Sequence, residues 1–367
     1  MKHILRTTCL AAALLTACAP IGENYQEPEI PVPDSWNQAI RTGLSTSSPE
    51  ITSWWRKFND PTLNKLLSLS KSNNRELAIA AERITEARSQ SKIARGGLSP
   101  FVAANGGVTR SRASESVSAF ATNQDTYELG FSAGWEMDFV GGLRRSVEAA
   151  RASAEATEEL YHDTLVLIYA ELASNYIQYR TLQRRIELAE ANIGNQQKSV
   201  DLTRARKDAG LAPQIDVSQA ETNLASSRAL IPQLRTQQAA TLNRIAVLIG
   251  SYPDQARRLL GTGSSIPTPP RSLATGLPSD LLRARPDIRA AERRVAAQHA
   301  ALGVSKAELF PKFTLSGTLA LQGANPGDLS DGASRAYSFG PGFRWRIFEG
   351  GIIKEEIKAQ ESRVRQA

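Results

Sequence analysis

The chain is poor in the residues that catalytic centres draw on. Aromatic residues fill only 6% of its 367 positions, and it has two cysteines and three histidines. Both cysteines, Cys9 and Cys18, lie at the N-terminal end. The rest of the chain can therefore supply no disulfide framework, Cys metal site or thiol nucleophile. His162 and His299 stand in helical stretches without a carboxylate or cysteine constellation and are read as surface or interhelix residues. A phosphate-binding glycine loop and a nucleophile elbow are both missing. No apolar run reaches the roughly 20 residues that a membrane-spanning helix needs. The net charge of +7 is spread along the chain, which points to solvated helix faces and not to a nucleic-acid surface. No enzyme activity, metal or cofactor is expected.

What the chain does have is an internal duplication. Residues 76–101 read ELAIAAERITEARSQSKIARGGLSPF and residues 287–312 read DIRAAERRVAAQHAALGVSKAELFPK. Aligned without gaps, Arg83 meets Arg294, Ile84 meets Val295, Leu98 meets Leu309 and Pro100 meets Pro311. A period of this length is far beyond a solenoid repeat and implies that a whole half-protein was doubled. Each copy predicts a helix stopped by Pro, followed by a pair of strands.

The N-terminus reads as a targeting segment. Lys2, His3 and Arg6 precede a short apolar run, Thr7–Leu15, as in a signal peptide. Leu15-Thr16-Ala17-Cys18 resembles the bacterial lipobox, which implies acylation of Cys18 as the first mature residue, and Ala19 after it implies sorting to the outer membrane. The charge then falls to +5 with the loss of Lys2 and Arg6. A single lipid holds a bilayer only reversibly, so a second membrane contact is expected. Residues 19–50, rich in Pro, Ser and Glu, read as an extended tether.

The strands are the clearest periodic signal. Tyr127, Leu129, Phe131, Ala133, Trp135, Met137 and Phe139 alternate with polar or glycine residues. A weaker strand near Phe101–Arg112 puts Val102, Ala104 and Val108 on one side. The second copy repeats the pair with Phe313, Leu315, Leu319 and Leu321, then Tyr337, Phe339, Phe343, Trp345 and Ile347. Alternation alone also suits a strand facing a soluble core. Aromatic residues near the strand ends, and the scarcity of any other sheet to cover the apolar face, favour lipid.

Between the copies lies a hairpin. A helix from about Leu143 to Asp208 would extend about 100 Å. Leu165, Leu172, Tyr179, Ile186, Ile193 and Val200 recur every seven residues along it. After the turn at Ala209-Gly210-Leu211-Ala212-Pro213, a return helix near Gln214–Ile249 carries Val217, Leu224, Ile231 and Ile245. Seven-residue periods in both arms predict an antiparallel coiled coil, bent where Pro232 falls.

Taken together, LTAC at 15–18, WWRKFNDPTLNKL at 54–66, LPSDLLRARPDIRAAERRVAA at 277–297, AELFPKFTLSG at 307–317 and FEGG at 348–351 resemble the TolC/OprM class of outer-membrane efflux factors, in its lipoprotein (NodT-like) branch. The resemblance implies a mainly helical fold with transmembrane β-structure. Four strands per subunit would close a 12-stranded barrel in a homotrimer, continued by a periplasmic helical barrel. The order along the chain would be signal peptide 1–17, acylated tether 18–53, equatorial and first tunnel helices 54–100 and strand pair 101–141. Hairpin 142–249, linker 250–278, second-repeat helices 279–310, second strand pair 311–349 and the start of a second hairpin at 350–367 would follow. Only 16 residues follow the second Gly-Gly, against about 108 in the first copy, so a C-terminally truncated second hairpin is expected.

The implied function is a passive exit duct for drugs or other small molecules, the outer-membrane part of a tripartite pump. Its partners would be a periplasmic adaptor, an inner-membrane RND transporter and outer-membrane lipid, with no cofactor beyond lipid on Cys18. The resemblance assigns Gly210 and Leu211 to adaptor docking and Asp216 to the periplasmic gate, although Asp216 equally suits a helix N-terminus. The alternatives are the outer-membrane factor of a type I secretion system and a coiled-coil scaffold or adaptor without a pore.

Overall fold

A computed structural model describes residues 20–28, 31, 44–45, 53–114, 116, 122–269, 273–274 and 277–367. The chain divides into two compact units. One comprises residues 1–29, 84–158 and 289–367, and the other residues 30–83 and 159–288.

The duplication is reproduced to the residue. Helix α2 (Arg75–Gly96) and its counterpart α7 (Pro286–Ala307) each have 22 residues. The strands that follow them, β2 (Phe101–Arg112) and β5 (Lys312–Gly323), each have 12. Strand β3 (Asn123–Met137) and strand β6 (Arg335–Arg344) complete one antiparallel sheet in the order β2-β3-β5-β6. The central pairing of β3 with β5 joins the two copies, with Phe131 opposite Leu319 and Trp135 opposite Leu315.

Two strands end earlier than their alternation suggests. β3 stops at Met137 because the Asp138 carboxylate accepts from the Leu143 and Arg144 amides and caps the next helix, α3 (Gly142–Asp208). β6 stops at Arg344, paired with Lys312. The residue before Lys312 is Pro311, which has no N–H with which to continue the ladder.

The other unit is helical. Helix α1 (Pro61–Asn73) opens behind Asp60, whose side chain accepts from the Leu63 amide at 2.9 Å, with Pro61 at the first helical position. Leu63, Leu66 and Leu67 of α1 are buried with Ile168, Leu172 and Tyr176 of α3. Leu242, Ile245 and Leu248 of the return helix α4 (Gln214–Leu248) join the same core. Of the seam residues, Leu172, Tyr179, Val200, Val217, Leu224 and Ile245 are buried and Leu165, Ile186, Ile193 and Ile231 half-buried, so the heptads do mark the contact between the arms. Pro232 does not interrupt α4.

The described parts of the expected linker and tether carry structure. The expected linker 250–278 contains helix α5 (Pro253–Leu260), which buries Ala256 and Leu260 one turn apart in that core. The expected tether is pinned in two places. Strand β1 (Leu44–Ser45) pairs in parallel with β4 (Leu273–Ala274), and the Ile21 amide donates to the Val140 carbonyl at 2.9 Å. A short helix α6 (Pro278–Ala284) precedes α7, and helix α8 (Ile352–Gln366) closes the described chain.

Candidate functional site

The sheet has two unlike faces. On one, register aligns Val102, Ala104 and Val108 of β2 with Ala133, Phe131 and Tyr127 of β3. Across β5 the same face continues through Leu319 and Leu315 to Tyr337, Phe339 and Phe343 of β6. Tyr127 and Leu315 are half-buried, but most of this face is uncovered: Tyr337 is 83% and Phe339 77% exposed. Burying such rings elsewhere would contribute about 1.5–3 kcal/mol each, so the exposed face calls for an apolar surrounding.

The opposite face is small and polar. Asn105 donates to the Ser132 hydroxyl at 2.8 Å, and the hydroxyls of Thr318 and Ser338 share a hydrogen at 2.8 Å. Gly130 is required here, because a Cβ on it would lie 2.5 Å from the Leu319 carbonyl oxygen. At Gly134 the Phe101 ring fills the space instead. Each outer strand, β2 and β6, has one neighbour among the described strands, which leaves a row of backbone donors and acceptors open on each edge. Among the described residues no helix is long and apolar enough to cross a membrane.

The far end of the hairpin forms a compact turn. Gly210 has φ +76°, its amide donates to the Lys207 carbonyl at 2.8 Å, and the Leu211 amide donates to the Arg206 carbonyl at 2.8 Å. This pair of bonds is a Schellman stop, and it needs the left-handed residue that glycine supplies. It leaves Leu211 and Ile215 projecting, 71% and 72% exposed. Asp216 sits exposed in the first turn of α4, its amide donating to the Pro213 carbonyl at 3.2 Å. The turn thus brings Gly210, Leu211 and Asp216 together at one tip. Cys18 lies outside the described residues.

Sequence reasoning missed the polar rungs along the arms. Arg204 pairs with Glu221 at 2.5 Å, Arg228 donates to Gln197 at 2.8 Å, and Arg235 pairs with Glu190 at 2.9 Å. Both partners step by seven residues, so the rungs flank the apolar seam and fix its register. The spacing was available, but without the register between arms it could not be converted into pairs.

The two described histidines each lie against a tyrosine ring. His162 stacks edge-on against Tyr161, and His299 lies 5.9 Å from the Tyr25 ring. Among the described residues no group of three His, Cys, Asp or Glu could hold a metal ion.

Residues 66–251 and 277–367 match the family described as outer membrane efflux protein. The chain is 31% identical over 367 residues to nodulation protein T of Rhizobium leguminosarum bv. trifolii, covering 99% of itself and 77% of that protein. It is also 31% identical over 366 residues to the probable efflux pump outer membrane protein TtgC of Pseudomonas putida, covering 97% and 74%. Among solved structures, the outer-membrane channel OprN superposes with a TM-score of 0.85 at 33% identity, over 94% of this chain and 77% of that one. With the family match spanning most of its length and a relative 31% identical over 99% of it, the chain belongs to the outer membrane efflux protein family.

Proposed function

We propose that the chain is one subunit of a passive outer-membrane exit duct, gated at its periplasmic end and serving a tripartite efflux pump. The observation that carries this is the four-stranded ribbon, aromatic and exposed on one face, small and polar on the other, and open at both edges. An open edge in lipid leaves several kcal/mol of unsatisfied hydrogen bonding per group, so a spanning sheet must close on itself. Four strands are too few, whereas three copies make a twelve-stranded barrel whose polar faces line water. The names of its relatives support the reading: TtgC is a probable efflux pump outer membrane protein, and OprN is an outer-membrane channel.

The duct does no chemistry. It controls access, by a closed periplasmic end that opens when a bound partner favours the open state. The exposed tip at Leu211 and Ile215 is the surface offered to a periplasmic adaptor, which links the duct to an energised RND transporter in the inner membrane. Asp216, exposed beside it, is the gate candidate. Cys18, acylated, adds a lipid anchor to the barrel. No cofactor is needed.

Unheated detergent extracts of outer membranes should give a gel band at three times the subunit mass that collapses on boiling. A chain found only as a monomer, released from membranes by alkaline carbonate, would sink the duct and leave the scaffold without a pore.

A further inference from the structure

We infer that Arg145 is the positioning residue that seats residues 20–25 against the junction between β3 and α3, and that this strap staples the two copies of the repeat together. Its bearing on the lipid anchor rests on the reading of Cys18 given above; the seat itself does not.

The Arg145 side chain is 2% exposed although it carries a charge. A guanidinium removed from water is tolerated only where its donors are satisfied. Its Nε donates to the Ile21 carbonyl at 3.0 Å. One Nη donates to the Gly22 carbonyl at 3.0 Å, the Glu23 carbonyl at 3.1 Å and Asn24 Oδ1 at 3.1 Å, and the other to Glu148 at 2.6 Å. All but one of these acceptors belong to the strap.

The slot is shaped by missing side chains. Gly141, at φ +89°, has Pro20 where a Cβ would stand. A Cβ on Gly303 of α7 would lie 2.8 Å from Arg145 Cγ. Beyond the slot, the Tyr25 hydroxyl donates to Glu292 of α7 at 2.8 Å, and Arg293 lies over the Tyr25 ring at 5.9 Å. The strap therefore grips the first copy at Val140 and Arg145 and the second at Glu292 and Arg293.

The duplication supplies its own control. Gly351, at φ +88°, keeps the left-handed turn of Gly141, but nothing lies within 4 Å of a Cβ placed on it or on Gly350. Gly351 precedes its helix as Gly141 precedes α3, and Glu355, whose amide donates to the Gly351 carbonyl as that of Arg145 does to Gly141, stands in place of Arg145. The junction thus folds without a strap, and Arg145 is where the copies diverge to receive one. Cys18 precedes Pro20 by two residues, at most about 7 Å of extended chain. A lipid on Cys18 would enter the bilayer beside the rim of the strands.

Hydrogen exchange of the full chain, extracted in detergent, tests this. Arg145→Ala should raise exchange in the peptide covering residues 20–25 at least tenfold and leave β3 and α3 unchanged. Gly303→Ala should do the same with Arg145 still present, and Arg145→Lys should fall between. Cys18→Ser should leave the strap protected. Continued protection in Arg145→Ala, loss of protection in Cys18→Ser, or equal loosening of β3 and α3 would overturn the seat. The mass of the wild-type N-terminal peptide reads acylation separately: an unmodified Cys18 removes the anchor and leaves the seat standing.

Discussion

Trp135 donates its indole N–H to the Leu98 carbonyl oxygen at 3.0 Å, and Trp345 repeats that bond to Leu309 at 3.0 Å. Leu98 and Leu309 each sit two residues before the proline that directly precedes a strand, so each tryptophan ties the end of a strand pair to the segment that opens it. A ring that is apolar on its body and hydrogen-bonded at its tip suits the boundary between a membrane and water.

Replacing either tryptophan by phenylalanine keeps most of the ring and removes the donor. Trp135→Phe and Trp345→Phe should each destabilise the folded protein by about 1 kcal/mol, the net value of one such bond. The double variant should lose the sum, because the two bonds share no partner. Thermal melts in detergent followed by circular dichroism would measure all three.

Gly130 and Gly134 lie on the same face of β3, yet they should respond differently to alanine. At Gly130 the added carbon meets the backbone of β5, which can yield only by distorting the sheet. At Gly134 it meets the Phe101 ring at 2.7 Å, and a side chain can turn away. Gly130→Ala should cost about 1–3 kcal/mol, as overpacking does, and Gly134→Ala less than about 1 kcal/mol. Equal melting temperatures for the two variants would contradict the packing described.

The tip separates stability from recognition in the same way. Gly210→Ala forces a side chain into the left-handed region and should cost about 1 kcal/mol, although no atom stands in its way. Leu211→Ser touches nothing buried and should leave the melt unchanged. A photo-reactive residue at position 211 should nonetheless cross-link a periplasmic protein in cells, and Leu211→Ser should weaken that partner's capture by the chain.

Much of this was legible in the sequence because the strong signals are periodic. Alternation located the strands, the heptads of Leu165 to Val200 and Val217 to Ile245 located the seam, and the gapless repeat aligned α2 with α7. Helix α5 gives no periodic signal because eight residues are too few for a period. Its Tyr252-Pro253-Asp254 start was the available sign. The Arg145 seat was not legible at all. Its acceptors are mostly backbone carbonyls more than 120 residues away, and a backbone carbonyl has no sequence signature.

The strap should also depend on pH, with a loss at each end. Burial works against the charge of Glu292, but the hydrogen bonds from Arg293 and Tyr25 outweigh it and hold the carboxyl below its ordinary 4.5. A lowered value in the folded state means the contribution is present above 4.5 and fades as pH falls through the folded value. The Tyr25 hydroxyl is shifted the other way, above 10.0, by burial first and then by the Glu292 carboxylate. Its contribution is complete below 10.0 and is lost as pH rises beyond it, because the freed strap can ionise Tyr25 and the seated one resists. Exchange in residues 20–25, corrected for its intrinsic pH dependence, should be slowest between about 4.5 and 10 and rise on both sides. Tyr25→Phe should remove the alkaline limb, leaving the acid limb that Arg293 imposes on Glu292. An alkaline limb that persists in Tyr25→Phe would show that another group opens the strap.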